Sequence, residues 1–213
     1  MEYLASLFPF MLEGTVVTLK LFFISLVTSL PLGIVFAMTR LSKFAPVSIA
    51  TQFYIWLFRG TPLLLQLLFI YFGLPIIGIN IDRFPAALLA FILNYTAYLA
   101  EVYRSGIQSI DQGQFEAADV LGLNRWQTLS RIILPQMIKR VLPPISNEVI
   151  NLIKDTSLVY AIGISELLRV AKIAAVRDAL FIPFIMAAVF YLVMTAVIQQ
   201  TFKWLEDHYA YYR

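Results

Sequence analysis

The sequence predicts an all-α membrane protein that crosses the bilayer several times. Of its 213 residues, 60% are hydrophobic and only 14% are charged, whereas soluble domains average about 45–50% and about 25%. The apolar residues are also collected into long runs, and about 20 such residues are enough to cross a bilayer as a helix. These two observations indicate that lipid surrounds most of the chain.

Five apolar segments are long enough to span a membrane. They cover roughly residues 10–38, 49–79, 84–103, 141–164 and 181–204. Gly60 and Pro62 interrupt the second segment, and Pro143 and Pro144 stand at the start of the fourth. No internal repeat or low-complexity stretch divides the chain. We therefore expect residues 1–213 to form a single transmembrane domain of about five helices.

The basic residues indicate which side of the membrane each connection occupies. An odd number of spans places the two termini on opposite sides. With the N-terminus outside, nine basic residues fall in cytoplasmic segments: Arg40, Lys43, Arg104, Arg125, Arg131, Lys139, Arg140, Lys203 and Arg213. Four fall outside: Arg83, Arg169, Lys172 and Arg177. Cytoplasmic loops are rich in Lys and Arg, so we expect the C-terminus inside, with Trp204, Tyr209, Tyr211 and Tyr212 at the inner interface.

Composition argues against several function classes. The chain has no cysteine and one histidine, His208, so we expect no metal site. Its net charge of +3 is explained by membrane topology, and we expect no nucleic-acid partner. The sequence contains no G-x-x-x-x-G-K-[ST] phosphate loop, and its predicted spans contain no His–carboxylate cluster, paired-Asp motif or Ser–His arrangement that an intramembrane enzyme would need. We therefore expect no catalytic residue and no cofactor in this chain.

Residues 111–135 form a polar insert between two apolar segments. Two pairs have the spacing of a helix N-cap and its partner: Asp111 with Gln114, and Asn124 with Gln127. Gly122 is typical of a helix C-terminus, and Pro135 continues a helix only at a cost. The insert is therefore predicted to be a helix, a glycine turn and a second helix that ends at Pro135.

The two sides of this hairpin are expected to have different roles. Its apolar residues are expected to pack on the ends of the spans: Trp126, Leu129, Ile132 and Ile133. Its acids, Glu116 and Asp119, are expected to face water or another protein. One interpretation is an amphipathic loop on the membrane surface, but such helices are usually basic. The acidic first helix favours a protein partner.

The signature residues of the insert resemble the EAA loop of permease subunits in binding-protein-dependent ABC importers. They are Glu116-Ala117-Ala118, Gly122, Ile132 and Leu134-Pro135, with no departure from the pattern. Three further stretches resemble the polar amino acid branch of that family: FRGTPLLLQL, YLAEVYRSGIQSIDQGQ and NEVINLIKDTSLV. The resemblance covers essentially the whole chain.

The resemblance implies a type I importer permease whose hairpin is the coupling helix of a separate cytoplasmic ATPase dimer. Glu116, Ala117, Ala118 and Gly122 fall at the docking positions, and ATP and Mg would bind to that ATPase. A second permease subunit is expected, either an identical copy or a different one, with an extracytoplasmic substrate-binding protein. The location implied is a bacterial-type plasma membrane. The substrate implied is a polar or basic amino acid of the arginine, lysine, histidine or glutamine class.

Polar residues inside the spans are costly and commonly mark a pathway. Four lie in one stripe of the third span because they step by four, three and four: Asn94, Tyr98, Glu101 and Ser105. Five in the fourth span fall within an arc of roughly 120°: Asn147, Glu148, Asn151, Lys154 and Asp155. In the second span Gln52, Arg59 and Gln66 share one side if the helix continues through Pro62.

Substrate contacts are therefore expected from eight residues: Arg59, Gln66, Asn94, Tyr98, Glu101, Glu148, Asn151 and Asp155. Arg59 suits the carboxylate of an amino acid, and an acid suits its ammonium group. Extra acid favours a cationic side chain, whereas the amides suit glutamine. The alternative is that Glu148 or Asp155 forms a structural ion pair with Lys154 or Arg59.

The remaining alternatives concern the outer side and the energy source. Residues 165–178 have a helical pattern and are either a docking site for the binding protein or an interfacial helix. A rival function is a secondary transporter driven by an ion gradient, with Lys154 and Asp155 as the relay. Dependence of uptake on ATP in vesicles without any gradient separates the two functions.

Overall fold

The structure, a computed structural model, describes residues 2–209, so Tyr211, Tyr212 and Arg213 of the predicted inner side lie outside the described residues. The α-helices of this part are α1 (Glu2–Arg40), α2 (Ala45–Gly60), α3 (Leu63–Leu68), α4 (Arg83–Gln108), α5 (Gln112–Val120), α6 (Arg125–Thr128), α7 (Leu134–Asp155), α8 (Leu167–Asp178) and α9 (Ile182–His208). Wider π-helical turns form Phe69–Gly73 and Leu129–Ile133, and tighter 3-10 turns form Leu74–Ile77 and Thr156–Ile162.

Among residues 2–209, three helices are long and apolar enough to cross a membrane: α1, α4 and α9. A fourth span is possible if α2 and the following segment Leu63–Ile77 count together, but the chain bends by 104° between them. The predicted fourth segment corresponds to α7 and the 3-10 turn after it. The predicted count of five spans stays a prediction.

The two central helices, α1 and α4, run side by side in the same direction. Ser29 of α1 lies 3.5 Å from the carbonyl of Ile92, and a Cβ added at Gly33 would lie 2.8 Å from Leu99. Both positions therefore advance together along the two helices. Buried alanines of α4 allow this close approach, since small residues let transmembrane backbones come together.

Helix α7 packs against α4 in the opposite direction. Near the C-terminus of α4, any Cβ at Gly106 would collide with Val141 near the start of α7. Further back along α4, Tyr95 donates a hydrogen bond of 2.7 Å to Asp155 at the end of α7. Val149 and Ile153 are buried on the packed side of α7.

The hairpin and four helix ends lie at one end of the bundle. The C-termini of α1 and α4 are there because these helices are parallel, and the start of α7 is there because Arg140 donates to Ser109. At the other end, Leu167 of α8 meets Gly14 of α1 and Glu166 meets Tyr191 of α9. The C-terminus of α9 therefore also lies toward the hairpin.

The helices at the edge of the bundle expose apolar side chains that lipid would cover. Val27 of α1 is 67% exposed, and Leu192 and Val197 of α9 are 67% and 62% exposed. A helix that is apolar on all sides belongs in a membrane. This surface confirms the expectation that the chain is a helical membrane protein.

One carboxylate is fully buried at the end of the bundle opposite the hairpin. Glu166, in the connection before α8 and outside the predicted spans, caps that helix by accepting from the amides of Leu168 at 2.6 Å and Arg169 at 2.7 Å. Tyr191 donates a third bond of 3.1 Å. Burial raises the pKa of Glu166 to about 6, although these donors oppose the shift. The cap produces the helical segment that the sequence predicted here.

Candidate functional site

The insert between α4 and α7 begins as predicted, with a helix, a glycine turn and a second helix. Asp111 caps α5 by accepting from the amide of Gly113 at 2.6 Å. Gly122 adopts φ +72, a conformation that costs other residues energy. Asn124 and Gln127 then form the predicted capping box, with both hydrogen bonds at 2.9 Å. Local hydrogen bonds therefore define the hairpin.

The predicted end of the second helix at Pro135 is wrong. The π-helical turn Leu129–Ile133 follows α6, and α7 begins at Leu134 with Pro135 in its first turn. A proline is tolerated at that position because the first amides of a helix have no partner within the helix. The hairpin is thus joined to α7 by continuous helical backbone. A displacement of the hairpin can therefore be transmitted directly to α7.

The outward face of the hairpin is acidic and apolar. Glu116 and Asp119 are exposed, as expected, and Val120 and Leu121 beside them are 88% and 74% exposed. Trp126 is 71% exposed, so the expectation that it packs on the span ends is wrong. Of the apolar residues predicted to pack there, Ile133 is buried.

The EAA-type residues divide between the two sides of α5. Glu116 and Ala117 are exposed, whereas Ala118 is fully buried against its own chain. Gly122 lies in the turn, and nothing would be within 4 Å of a Cβ there. Docking roles for these four residues stay a prediction. The structure leaves Glu116, Ala117 and the turn accessible to another protein.

A second polar site lies at the break between α2 and α3, which we call the elbow (Thr61 and Pro62). The backbone bends by 104° there, so Gln66 does not share one continuous side with Gln52 and Arg59, as an unbroken helix would require. Proline at position 62 removes an amide donor and leaves carbonyls of α2 without helical partners. Such groups are costly in lipid unless the protein binds them.

Two amide side chains bind the groups freed at the elbow. Gln66 donates to the carbonyl of Phe58 at 2.9 Å and to the carbonyl and hydroxyl oxygens of Thr61 at 3.0 and 2.8 Å. Asn94 of α4 donates to Phe58 at 3.1 Å and to Gln66 Oε1 at 3.0 Å. Both amides are almost fully buried. They were predicted to contact substrate, and that role stays a prediction, but here they close the elbow against α4.

Arg59 lies next to this closed network and faces a cluster on α4. Its guanidinium carbon is 5.3 Å from the ring centroid of Tyr98, and its Nη1 is 3.8 Å from Glu101. Arg104 forms a second, two-pronged ion pair with Glu101. The Arg59 side chain remains 41% exposed. The cluster therefore holds a cation in place and leaves one side of it open.

The polar residues of helix α7 differ in how far they are exposed. Asp155 and Glu148 are partly buried, whereas Asn151 and Lys154 are exposed. The structural alternative paired Glu148 or Asp155 with Lys154 or Arg59, yet the ion pair of Arg59 is with Glu101, and Asp155 accepts from Tyr95. A row of exposed residues follows helical spacing: Arg140, Pro143, Asn147, Asn151 and Lys154.

Two contributors to these clusters were missed by the sequence reasoning. Arg104 follows Glu101 by three residues, a spacing at which helix side chains meet, so it was detectable. Tyr95 lies one position from the predicted polar stripe of α4, and nothing in its spacing marked it. Its partner Asp155 is 60 residues away, and only the packing of α4 on α7 unites them.

Comparison with known proteins agrees with this arrangement. The sequence pattern of the family described as "Binding-protein-dependent transport system inner membrane component" matches residues 29–211. The chain belongs to that family, whose members are permease subunits of ABC importers in the bacterial inner membrane.

Particular relatives cover nearly the whole chain. The arginine transport system permease protein ArtQ of Bacillus subtilis is 41% identical over 192 residues, covering 89% of this chain and 88% of ArtQ. The L-cystine transport system permease protein TcyB of the same species is 36% identical over 210 residues, covering 96% and 90%. A crystal structure of an amino acid ABC transporter with histidines superimposes with TM-score 0.90 at 37% identity, covering 97% of both chains.

Proposed function

We propose that this chain is the transmembrane subunit of an ATP-driven importer of polar or basic amino acids, in which two permease subunits face each other. The observation that carries the proposal is the outward face of the hairpin, where acid and apolar side chains project away from the chain. Hydrolysis of ATP with Mg would take place on a separate ATPase dimer that binds this face. The chain itself would carry no cofactor.

The exposed polar row of α7 supports a second permease subunit. In a membrane, Asn147, Asn151 and Lys154 would be costly against lipid, so they require an aqueous cavity or a protein partner. A copy of this chain facing the row would bury both rows between the subunits. An identical copy is the simplest arrangement, and a different permease of the same family would satisfy the same requirement. The translocation pathway would then run between the two α7 helices.

The substrate would be held between α2, α4 and α7. The open side of Arg59 suits the carboxylate, with Tyr98 beneath the guanidinium. Glu148 and Asp155 would bind the ammonium group and a cationic side chain, and Glu101, the third predicted acid, is already paired with Arg59 and Arg104. Asn151 adds an exposed amide on the pathway side. ArtQ is named for arginine, which agrees with the excess of acid, and an amino acid such as glutamine would rely on the amides instead.

The orientation follows from the basic residues. The hairpin end of the bundle carries Arg40, Lys43, Arg104, Arg125, Arg131, Lys139, Arg140 and Lys203, whereas Arg83, Arg169, Lys172 and Arg177 belong to the other end. The positive-inside rule then places the hairpin in the cytoplasm and the N-terminus outside. The substrate-binding protein would meet the outer end, where α8 lies.

Uptake by the whole complex tests the substrate site. The chain is reconstituted in vesicles with its ATPase and binding protein, without an ion gradient, and labelled arginine and glutamine are compared. Asp155→Asn keeps an acceptor for Tyr95 but removes the charge, so we expect normal assembly and at least about tenfold weaker arginine uptake, since a charged hydrogen bond contributes about 1.5–3 kcal/mol.

The control is Glu13→Gln, the same chemical change at an exposed position of α1, which should leave uptake unchanged. If Asp155→Asn prevents accumulation of the protein, Asp155 is structural. Uptake that needs an ion gradient but no ATP would establish the secondary transporter instead.

A further inference from the structure

A basic cleft lies behind the hairpin, on the side opposite the face assigned to the ATPase. It has a volume of about 590 Å³ and is lined by Gln114, Arg131, Ile132, Pro135, Gln136, Lys139 and Arg140. Three of the seven lining residues are cations and none is an acid. Neither the docking face nor the substrate site uses this cleft.

The helical geometry of α5 separates the cleft from the docking face. Residues four apart share one side of a helix, and residues two apart lie on opposite sides. Gln114 lines the cleft and Ala118 on the same side is buried. Glu116 and Val120 point the other way and are exposed. A protein bound to the Glu116 side would therefore leave the cleft facing back toward the spans.

The cleft is held open by contacts between the hairpin and the start of α7. Gln136 donates to Gln114 at 3.1 Å and to the carbonyl of Ile132 at 3.0 Å. Arg140 donates to the backbone carbonyl of Ser109 and to its hydroxyl, the latter at 3.1 Å. These bonds join the hairpin to α7 and the end of α4, so the cationic lining keeps its shape without a ligand.

The cleft lies just before the predicted fourth apolar segment, at the level where lipid headgroups are expected. Its last lining residue, Arg140, directly precedes Val141, where the predicted apolar segment begins. Ile132 and Pro135 give the cleft an apolar wall beside the charges. Basic pockets at the cytoplasmic ends of membrane helices are suited to anionic lipid headgroups. A phosphate with an attached apolar chain matches both parts of the lining.

We propose that this cleft binds the phosphate headgroup of an anionic phospholipid of the cytoplasmic leaflet, with Arg131 and Lys139 as its charged ligands. The inference rests on the proposed orientation, which places the hairpin in the cytoplasm. A bound lipid would brace the hairpin against α7. Membrane composition would thereby affect how firmly the hairpin transmits movement to the span.

The test uses the full-length chain in lipid discs of phosphatidylcholine, titrated with labelled phosphatidylglycerol. The variant is Arg131→Gln with Lys139→Gln, which leaves the Arg140–Ser109 bridge intact. Removing a cation near the membrane surface weakens anionic lipid binding by roughly fivefold, so we expect roughly 25-fold weaker binding. The control is Lys43→Gln with Lys203→Gln, which removes two exposed cations at the same end of the bundle but outside the cleft and should weaken lipid binding clearly less than the cleft variant does.

Each other outcome contradicts the proposal in a different way. Equal weakening in the control pair would show general surface attraction. Displacement of the lipid by millimolar inorganic phosphate would assign the cleft to a soluble anion. Loss of ATPase co-purification in the cleft variant would make the cleft part of the ATPase interface.

A single variant separates a loss of lipid binding from a folding defect, and the choice of readout separates it from a failure of transport. If the double variant does not fold, Arg131→Gln alone should still weaken binding by roughly fivefold, and Arg131→Lys should restore it. Lipid binding is measured without ATPase or transport. A failure of the proposed transport function therefore appears separately, as absent uptake by the unaltered complex.

Discussion

The hairpin and the elbow differ in whether their polar side chains are buried and hydrogen-bonded or exposed. At the elbow, Gln66 and Asn94 satisfy the carbonyls freed by Pro62, and both amides are buried. On the outward face of the hairpin, Glu116 and Asp119 stay exposed beside Val120, which is 88% exposed. The elbow therefore satisfies its polar groups within the chain, whereas the hairpin face is left accessible to another molecule.

The largest expected effect of a substitution is at the hairpin face. Glu116→Lys reverses a charge that would pair with a basic residue of the ATPase. Disrupting a desolvated charge pair at an interface costs about 2–5 kcal/mol, so we expect at least about 30-fold weaker co-purification with the ATPase. The chain should still accumulate in the membrane. The matched control is Asp207→Lys, an exposed acid of α9 at the same end of the bundle. Unchanged co-purification of the Glu116 variant would remove the docking role.

The next largest effect is expected at the elbow, where a substitution should lower the stability of the protein and leave ATPase binding intact. Gln66→Leu removes four hydrogen bonds, and bonds between transmembrane helices contribute about 0.6 kcal/mol each on average. We expect a loss of about 2 kcal/mol of stability, measured by thermal unfolding in detergent, with ATPase binding retained by the folded fraction. Gln66→Glu keeps the acceptor for Asn94 but loses the donor, so it too should destabilise. A stable Gln66→Leu protein that fails only in uptake would favour the predicted contact with substrate.

A smaller effect tests the shape of the hairpin without changing its charge. Gly122 has φ +72 and free space around its Cβ position, so Gly122→Ala introduces backbone strain alone, about 1–2 kcal/mol. We expect weaker ATPase co-purification of about fivefold to thirtyfold. Gly122→Asn should be milder, because asparagine adopts this conformation more readily. Equal losses for the two variants would indicate that the side chain itself obstructs docking.

The smallest effect is expected at Glu166, whose hydrogen-bond partners, like those at the elbow, lie within the chain. Its pKa is raised to about 6, above the usual value near 4.3, so the folded protein holds the proton more tightly than the unfolded chain. That stabilisation is complete below the unfolded pKa and is lost as pH rises through about 6. Between pH 5 and pH 7.5 we expect a loss of about 1 kcal/mol, seen as a lower melting temperature. Glu166→Gln should show less of this dependence, and an identical pH profile would rule out Glu166 as its source.

Local features of the hairpin were readable from the sequence because they depend on neighbouring residues. The cap at Asn124 and the turn at Gly122 each involve residues within a few positions of one another. The end predicted at Pro135 failed because a proline in the first turn of α7 loses no helical bond. The outward position of Trp126 was also not predictable, since an exposed tryptophan is unfavourable unless something else covers it.

In the substrate region, residue spacing predicted which side of a helix a residue occupies but not its contacts with other helices. Periodicity correctly placed Asn94, Tyr98 and Glu101 along one side of α4. It could not tell that Asn94 is bound to Gln66 and Phe58, because the bend at the elbow depends on how α3 packs against α4. The structural alternative paired Arg59 or Lys154 with an acid of α7, whereas the ion pair of Arg59 is with Glu101 of α4.

By itself, the sequence determined the membrane class, the helical hairpin, its acidic face and the family resemblance, because these depend on composition and on residues close together in the chain. Only the tertiary structure decided which polar groups are already paired and which remain open. The physical reason is that hydrogen bonds and ion pairs between helices depend on rotation and separation. Those quantities are set by close packing of α4 on α1 and α7, which residue spacing along one helix does not specify.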